Sequence, residues 1–245
     1  MRTQTTAVFD KMAQAWGATT TPRYINSIGG TRSGKTFAAL QLLITIASND
    51  KRPTLTSVVS ETLPHLKRGA IRDFEAIMET NLKMDVAWSA SDCIYTFPNG
   101  SRIEFFGADA PARVHGPARD RLFVNEANHI SYETFRQLAV RTRGIIIADY
   151  NPTSPFYMTD EIAPRANCVT IHSTYKDNTF LTLEQVQEIE SNRKDANWWK
   201  VYGEGKVGSN DGLIFPDFTQ IDVLPSPEGL VDVYGQDYGF THDPS

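Results

Sequence analysis

The chain has 245 residues, of which 40% are hydrophobic and 22% charged, and its formal net charge is −5. This length suits one large α/β domain, or one domain with part of a second, and the apolar fraction is enough for a substantial core. The acidic balance argues against a protein that coats nucleic acid over its whole surface, but leaves room for a local basic face. No run approaches 18 apolar residues and no signal peptide is recognisable, so we expect an intracellular protein without a membrane partner. Cys93 and Cys168 are isolated in strand-like segments, which predicts buried thiols rather than a disulfide or a metal pair.

The first informative stretch follows a predicted amphipathic helix (residues 5–16) and a predicted strand (24–28). It consists of Gly29, Gly30, Thr31, Arg32, Ser33, Gly34, Lys35 and Thr36. This spacing is the P-loop pattern, in which glycines let backbone N–H groups approach phosphate oxygens at the start of a helix. Lys35 is predicted to reach the β- and γ-phosphates, and Thr36 to place its hydroxyl on Mg²⁺. The helix-like run 37–47 after the motif favours this interpretation over a chance glycine-rich turn.

The next segments carry the periodicities of a mixed α/β fold. Residues 54–60 form a β-branched, strand-like run, and residues 65–80 have a helical pattern. The apolar face of that helix consists of Leu66, Ala70, Phe74 and Ile77. Residues 92–97 and 102–106 alternate around Pro98-Asn99-Gly100, which predicts a β-hairpin.

Two strand-like segments follow, 121–124 and 144–148, each with a continuous apolar run (122–124 and 144–148), and a helix-like segment at 131–141 lies between them. Strands without alternation that are separated by helices indicate a parallel sheet with both faces covered. Ligands bind such sheets at the carboxyl ends of the strands. The polar residues expected at these ends, around one pocket with the P-loop, are Asn125, Glu126, Asp149 and Asn151. The predicted fold class is α/β, a P-loop NTPase of the ASCE/RecA-like type with a mainly parallel sheet, flanking helices and a β-hairpin insertion.

Asn125 and Glu126 occupy the place of a Walker B pair. An acidic residue normally holds Mg²⁺ at the first position, and Asn125 is neutral, so we expect it to act through a metal-bound water. Glu126 is then the group that polarises the attacking water beside the γ-phosphate. The alternative is that this pair only caps the following helix.

Four stretches together resemble the large terminase subunit of tailed bacteriophages, the ATPase that drives DNA packaging. They are residues 29–36, 97–105, 122–128 and 149–153, and their order and spacing cover about half of the chain. The Asn-Glu-Ala-Asn form of the Walker B segment is similar to a variant known in this family. By the same resemblance, Asp149 and Asn151 belong to a coupling motif that senses the γ-phosphate and relays its state to DNA movement.

The resemblance also implies arginines that contact the γ-phosphate. Arg32 is the candidate within the P-loop, and Arg113 the candidate that a neighbouring subunit donates, with Arg119 behind it in the same loop. For the adenine, Arg23 and Tyr24 are provisional candidates.

The chain changes in character after residue 175. A helix is predicted around 183–202, with a tryptophan pair that we interpret as packing. The predicted domains are an ATPase domain at 1–203, a linker at 204–230, and at 231–245 the first strand of a truncated RNase-H-like nuclease domain. By resemblance, Asp237 is the first metal ligand of that nuclease, which is incomplete here, so no nuclease activity is expected.

The sequence thus predicts an ATPase motor that uses ATP and Mg²⁺. The resemblance implies double-stranded DNA, a phage portal protein and a small terminase subunit as partners, a homo-oligomeric ring, and the host cytoplasm as location. A helicase-like DNA-repair ATPase and a nucleotide-binding module without turnover stay open as alternatives.

Overall fold

The fold is built on an eight-stranded sheet. The structure, a computed structural model, describes residues 5–79 and 87–208. The strands are β1 (Tyr24–Gly29), β2 (Leu55–Ser60), β3 (Ala87–Ser89), β4 (Ile94–Thr96), β5 (Arg102–Gly107), β6 (Arg121–Val124), β7 (Ile146–Tyr150) and β8 (Cys168–Ser173). Their order across the sheet is β3-β4-β5-β2-β6-β7-β1-β8. From β5 to β8 every neighbouring pair is parallel, and only β4 runs antiparallel, to its two neighbours β3 and β5. The mainly parallel sheet predicted from the sequence is therefore confirmed.

Helices cover both faces of this sheet. They are α1 (Ala7–Trp16), α2 (Lys35–Asn49), α3 (Leu63–Arg68), α4 (Ala70–Ile77), α5 (Pro111–Val114), α6 (Tyr132–Val140), α7 (Leu183–Ser191) and α8 (Ala196–Trp198), with π-helical turns at Met158–Ile162 and Trp199–Gly203. Alternate residues of β7 enter different cores, since Ile147 packs with the α1, α2 and α4 layer and Ile146 packs with the α6 layer. A strand buried on both faces explains the continuous apolar run.

The order of the central strands decides where the polar ends meet. β7 lies between β6 and β1, so one strand separates the P-loop strand from the strand that precedes Asn125. This is the arrangement expected for the ASCE type. All three strands are parallel, and their carboxyl ends therefore lie side by side at one edge of the sheet.

The predicted hairpin is present, but it is not a separate insertion. Gly100, with φ +82°, takes the left-handed conformation in the turn between β4 and β5. β5 also pairs along its whole length with β2, in parallel. The hairpin therefore extends the main sheet, because the second edge of β5 is hydrogen-bonded to β2.

Two predicted helices are interrupted. The helix expected at 65–80 breaks at Gly69 into α3 and α4, although its predicted apolar face is buried throughout. The helix expected at 183–202 ends as α7 at Ser191 and continues through shorter helical turns. Cys93 is buried in the turn before β4 rather than within a strand, and Cys168 begins β8; both are free.

The chain divides into two units, residues 1–210 and 211–245. The second unit lies outside the described residues, together with most of the predicted linker, the predicted strand 231–245 and Asp237. The domain boundaries stay predictions. Over residues 5–79 and 87–208, we find no helix with the length and apolar character needed to cross a bilayer.

Candidate active site

The P-loop connects β1 to α2. Gly34, the residue before α2, has φ +84°, a left-handed conformation that glycine adopts without strain. A Cβ on Gly30 would lie 2.4 Å from the carbonyl oxygen of Tyr202, so only glycine fits there. A cavity of about 420 Å³ opens above the loop, within the range of small-molecule sites. Its walls are Thr6, residues 31–37, Asp73, Glu126, residues 149–151, Asn178, Phe180 and Leu181.

Lys35 is folded back onto the loop. Its ammonium Nζ donates to the carbonyl oxygens of Gly29 (3.0 Å) and Gly30 (2.7 Å) and to Oγ of Ser33 (3.2 Å). Burial lowers the pKa of Lys35 from 10.5 to about 8, and the charges of Asp149 and Glu126 oppose this effect. Phosphate oxygens at the loop would offer this partly desolvated cation a stronger partner than neutral carbonyls do.

Asp149 is the centre of the polar network at the strand ends. Its carboxylate accepts hydrogen bonds from the Thr36 hydroxyl, from Nδ2 of Asn125 (3.0 Å) and from the backbone N–H of Glu126 (2.9 Å). The residue is 1% exposed, and burial raises the pKa of its carboxyl although the three donors oppose the shift. The structure thus brings together the predicted metal residues and the predicted coupling residue.

Asn151 links the same strand end to the P-loop, because its Nδ2 donates to the carbonyl oxygen of Gly29 at 2.7 Å. The P-loop is also held from the far end of the described chain. The N–H of Thr31 donates to the carbonyl oxygen of Tyr202 at 2.8 Å, and Trp199 in the same π-helical turn packs against Tyr175. The chain therefore returns to the loop after residue 198, where the ring of Trp198 contacts that of Tyr202.

Glu126 lines the cavity, and part of its side chain is exposed. Its φ of +53° is left-handed, an uncommon conformation for a residue with a side chain, and this directs the chain sharply away from β6. The carboxylate Oε2 lies 3.1 Å from Nε2 of His65 and 3.9 Å from Nε2 of His129. The side chain is 41% exposed, so it is accessible to a water molecule in the cavity.

The predicted arginines occupy different environments. Arg32 is exposed, lines the cavity and has φ +51°. Arg113, in α5, donates to the backbone oxygen of Asp92 at 3.0 Å and does not line the cavity of its own chain. Arg119 is 1% exposed with its guanidinium 5.6 Å from the Phe106 ring centroid. A residue this deeply buried cannot reach a neighbouring subunit, which argues against Arg119 as the arginine donated in trans.

The provisional adenine residues are also wrong. Tyr24 begins β1, at the opposite end of the strand from the P-loop, and Arg23 precedes it. Five residue steps along the strand separate Tyr24 from Gly29, about 17 Å. Arg23 is instead bonded to the backbone oxygens of Ala139 and Thr142.

The family model described as phage terminase large subunit matches residues 22–206, about three quarters of the chain. The chain belongs to this family. The PBSX phage terminase large subunit of Bacillus subtilis strain 168 is 26% identical over 228 residues, which cover 81% of this chain and 52% of that protein. The resemblance drawn from the four sequence stretches is therefore confirmed.

Solved large terminases have the same fold. That of a thermophilic bacteriophage superposes with a TM-score of 0.73 at 17% identity, over 83% of this chain and 53% of that chain. A variant of the large terminase ATPase domain of Thermus phage P74-26 gives a TM-score of 0.61 at 14% identity, over 83% of this chain and 94% of that domain. The chain spans about half the length of the longer relatives and nearly the whole of the isolated domain. The P-loop NTPase fold is confirmed.

The terminase fold also brings into the site residues that the motifs did not predict. His65 follows the carboxyl end of β2, so the strand-end rule used above was the available signal. Asn178 and Phe180 lie after β8, and Nδ2 of Asn178 donates to the carbonyl oxygen of Arg32 at 2.9 Å. The irregular sequence around these two residues carried no recognisable signal.

Proposed function

We propose that this chain is the ATPase part of a phage DNA-packaging motor, which binds ATP with Mg²⁺ in the cavity above the P-loop and hydrolyses it. The observation that carries the proposal is that Glu126, a carboxylate accessible to water, lines the same cavity as Lys35. Family membership and large terminases solved in complex with ADP and with ATP-γ-S support it.

Each residue then has a defined task. Lys35 exchanges the loop carbonyls for the β- and γ-phosphates. These carbonyls keep other donors, since Gly29 retains Asn151 and Gly30 retains Ser33. The exchange therefore leaves no buried acceptor without a partner.

Glu126 accepts a proton from the attacking water. Nε2 of His65, which lies 3.1 Å from the carboxylate, holds the Glu126 side chain in place. Mg²⁺, when bound, neutralises charge on the β- and γ-phosphate oxygens. Arg32 contacts the γ-phosphate within the chain, and Arg113 acts on the nucleotide of a neighbouring subunit in a ring. Its position outside the cavity of its own chain suits a role in trans.

Double-stranded DNA, a portal protein and a small terminase subunit are the proposed partners, and the host cytoplasm the proposed location. They rest on family membership. Asp149 and Asn151, which contact the first turn of α2 and the end of β1, are proposed to transmit the nucleotide state to DNA movement.

The experiment is steady-state ATP hydrolysis with Mg²⁺ by the wild type and by Glu126→Gln. The amide keeps the shape of the side chain but cannot take a proton, so turnover should fall about 10²- to 10⁴-fold with the nucleotide Kd within about threefold of wild type. Glu133→Gln, an exposed glutamate of α6, is the matched control and should keep full turnover.

Normal turnover in Glu126→Gln would remove the proposed base. A wild type that binds ATP without hydrolysing it, alone or with DNA, would instead support a nucleotide-binding module.

A further inference from the structure

The residue at the Walker B position does not present a metal ligand to the cavity. Asn125 directs its Nδ2 to the Asp149 carboxylate at 3.0 Å and towards Oγ1 of Thr36 at 3.4 Å. An ionised carboxylate only accepts hydrogen bonds, so the amide must face it with its NH₂ group. The amide oxygen, the only side-chain atom of Asn125 able to bind a cation or accept from its water, therefore points away from Thr36.

The strand order offers a carboxylate closer to the P-loop. Val124 and Ala148 are paired in register, so the residues that follow them, Asn125 and Asp149, lie side by side. Because β7 stands between β6 and β1, Asp149 is one strand nearer than Asn125 to the loop. Asp149 is also in register with Ser27 of β1.

Thr36 already contacts this carboxylate through its hydroxyl. In P-loop NTPases a hydroxyl at this position and an acidic side chain hold Mg²⁺ together with phosphate oxygens. Mg²⁺ typically takes one or two protein ligands and fills its octahedron with phosphate and water. Over residues 5–79 and 87–208, no cluster of three or more His, Cys, Asp or Glu side chains forms a metal site made of protein alone. The donor set of Thr36 and Asp149 fits this mode of binding.

The other two carboxylates of the cavity are differently placed. Glu126 is in contact with His65. Asp73 belongs to α4, on a different element from the strand ends, and within residues 5–79 and 87–208 it makes no hydrogen bond to Thr36. Asp149 is thus the carboxylate that shares a contact with the P-loop threonine.

We infer that Asp149, on the strand between the P-loop strand and the Walker B strand, supplies the acidic ligand of the nucleotide-bound Mg²⁺, and that Asn125 orients it. The acidic ligand and the amide have exchanged strands relative to the usual P-loop arrangement. This inference rests on the proposed function and adds a metal-binding role to a residue assigned above only to coupling.

The test is the gain in affinity for a non-hydrolysable ATP analogue that Mg²⁺ produces, measured by calorimetry with and without the metal. Asp149→Asn should reduce this gain about 10- to 100-fold, with the Mg²⁺-free Kd changed less than about threefold. The double variant Asn125→Asp/Asp149→Asn returns the carboxylate to the Walker B strand and should recover at least part of the gain. Asp160→Asn, which removes an exposed charge beyond β7, is the control and should show the full gain.

Mn²⁺ in place of Mg²⁺ gives a second readout, the electron paramagnetic resonance spectrum of the metal in the ternary complex. It should report weaker Mn²⁺ binding in Asp149→Asn and recovery in the double variant. If Asp149→Asn keeps the full metal-dependent gain in affinity for the analogue, the inference is overturned. Loss of that gain in Asp73→Asn would then identify Asp73 as the acidic ligand.

If Asp149→Asn binds no analogue even without metal, the double variant Asn125→Asp/Asp149→Asn distinguishes loss of a metal ligand from loss of structure. Recovery there supports the exchange of strands, and failure there makes Asp149 a structural residue and overturns the inference. A wild type without any metal-dependent gain would instead refute the proposed function, so the two failures are distinguishable.

Discussion

Replacing Lys35 with methionine should stabilise the nucleotide-free protein while abolishing tight nucleotide binding. Methionine keeps most of the length and apolar volume of the lysine stem without its charge. The folded state lowers the pKa of Lys35 from 10.5 to about 8, which corresponds to an unfavourable free energy of about 3 kcal/mol for the charged form. Lys35→Met removes this cost but also loses the three hydrogen bonds of Nζ, so we expect it to raise the free energy of unfolding by about 1–3 kcal/mol at pH 7.

The pH dependence has a definite sign. Because the folded pKa is the lower one, the unfolded chain binds the proton more tightly, and wild-type stability should rise as the pH increases from about 8 to 10.5. The variant lacks this group, so its advantage should be largest below pH 8 and shrink above it.

The assay is urea unfolding followed by circular dichroism at several pH values from 7 to 9.5, without nucleotide. Lys67→Met, at an exposed position of α3, is the matched control and should change stability by less than about 0.5 kcal/mol. With Mg²⁺ and an ATP analogue, the wild type should gain thermal stability and Lys35→Met should not. A variant less stable than wild type at pH 7, or an advantage equal at pH 7 and 9.5, would refute the reasoning.

Three further outcomes are expected. His65→Gln should lower kcat about tenfold with KM for ATP unchanged, because Glu126 loses a partner that orients it; a change in KM alone in steady-state rates would contradict this role. Phe180→Ala should weaken ATP binding about 3- to 30-fold in calorimetry, because the half-exposed Phe180 ring is expected to stack on the base. Leu183→Ala, at an exposed residue outside the cavity walls, should leave ATP binding unchanged, and equal effects of the two variants would argue against stacking. Arg113→Ala should lower turnover about 10³-fold in assembled rings and leave isolated monomers unaffected, and mixing it with Glu126→Gln should restore some activity; an equal loss in monomers would place Arg113 in cis.

The strand-end argument explains why so much of the site was predictable. Continuous apolar runs separated by helices indicate a parallel sheet covered on both faces, and such a sheet gathers the residues after its strands at one edge. Asn125, Glu126, Asp149 and Asn151 were placed together on this ground, and the structure brings all four to the P-loop.

Other features depend on contacts that no local pattern encodes. The burial of Arg119 is one example. Its Gly/Pro-containing loop sequence is typical of an exposed segment, yet its guanidinium packs over the ring of Phe106 in β5. The break at Gly69 is another, since a helical period continues through it while the backbone does not. The contact of His65 with Glu126 requires α3 to lie against the end of β2.

The sequence by itself determined the P-loop, the parallel sheet and the family, because these depend on spacing and periodicity along the chain. It did not determine which carboxylate faces Thr36. A Walker B motif identifies the acidic metal ligand by its position in the sequence. Which side chain can bind the metal depends instead on its distance from Thr36 in the folded protein. Only the order of the strands, with β7 between β6 and β1, sets Asp149 against the P-loop threonine and turns the amide of Asn125 into its hydrogen-bond donor.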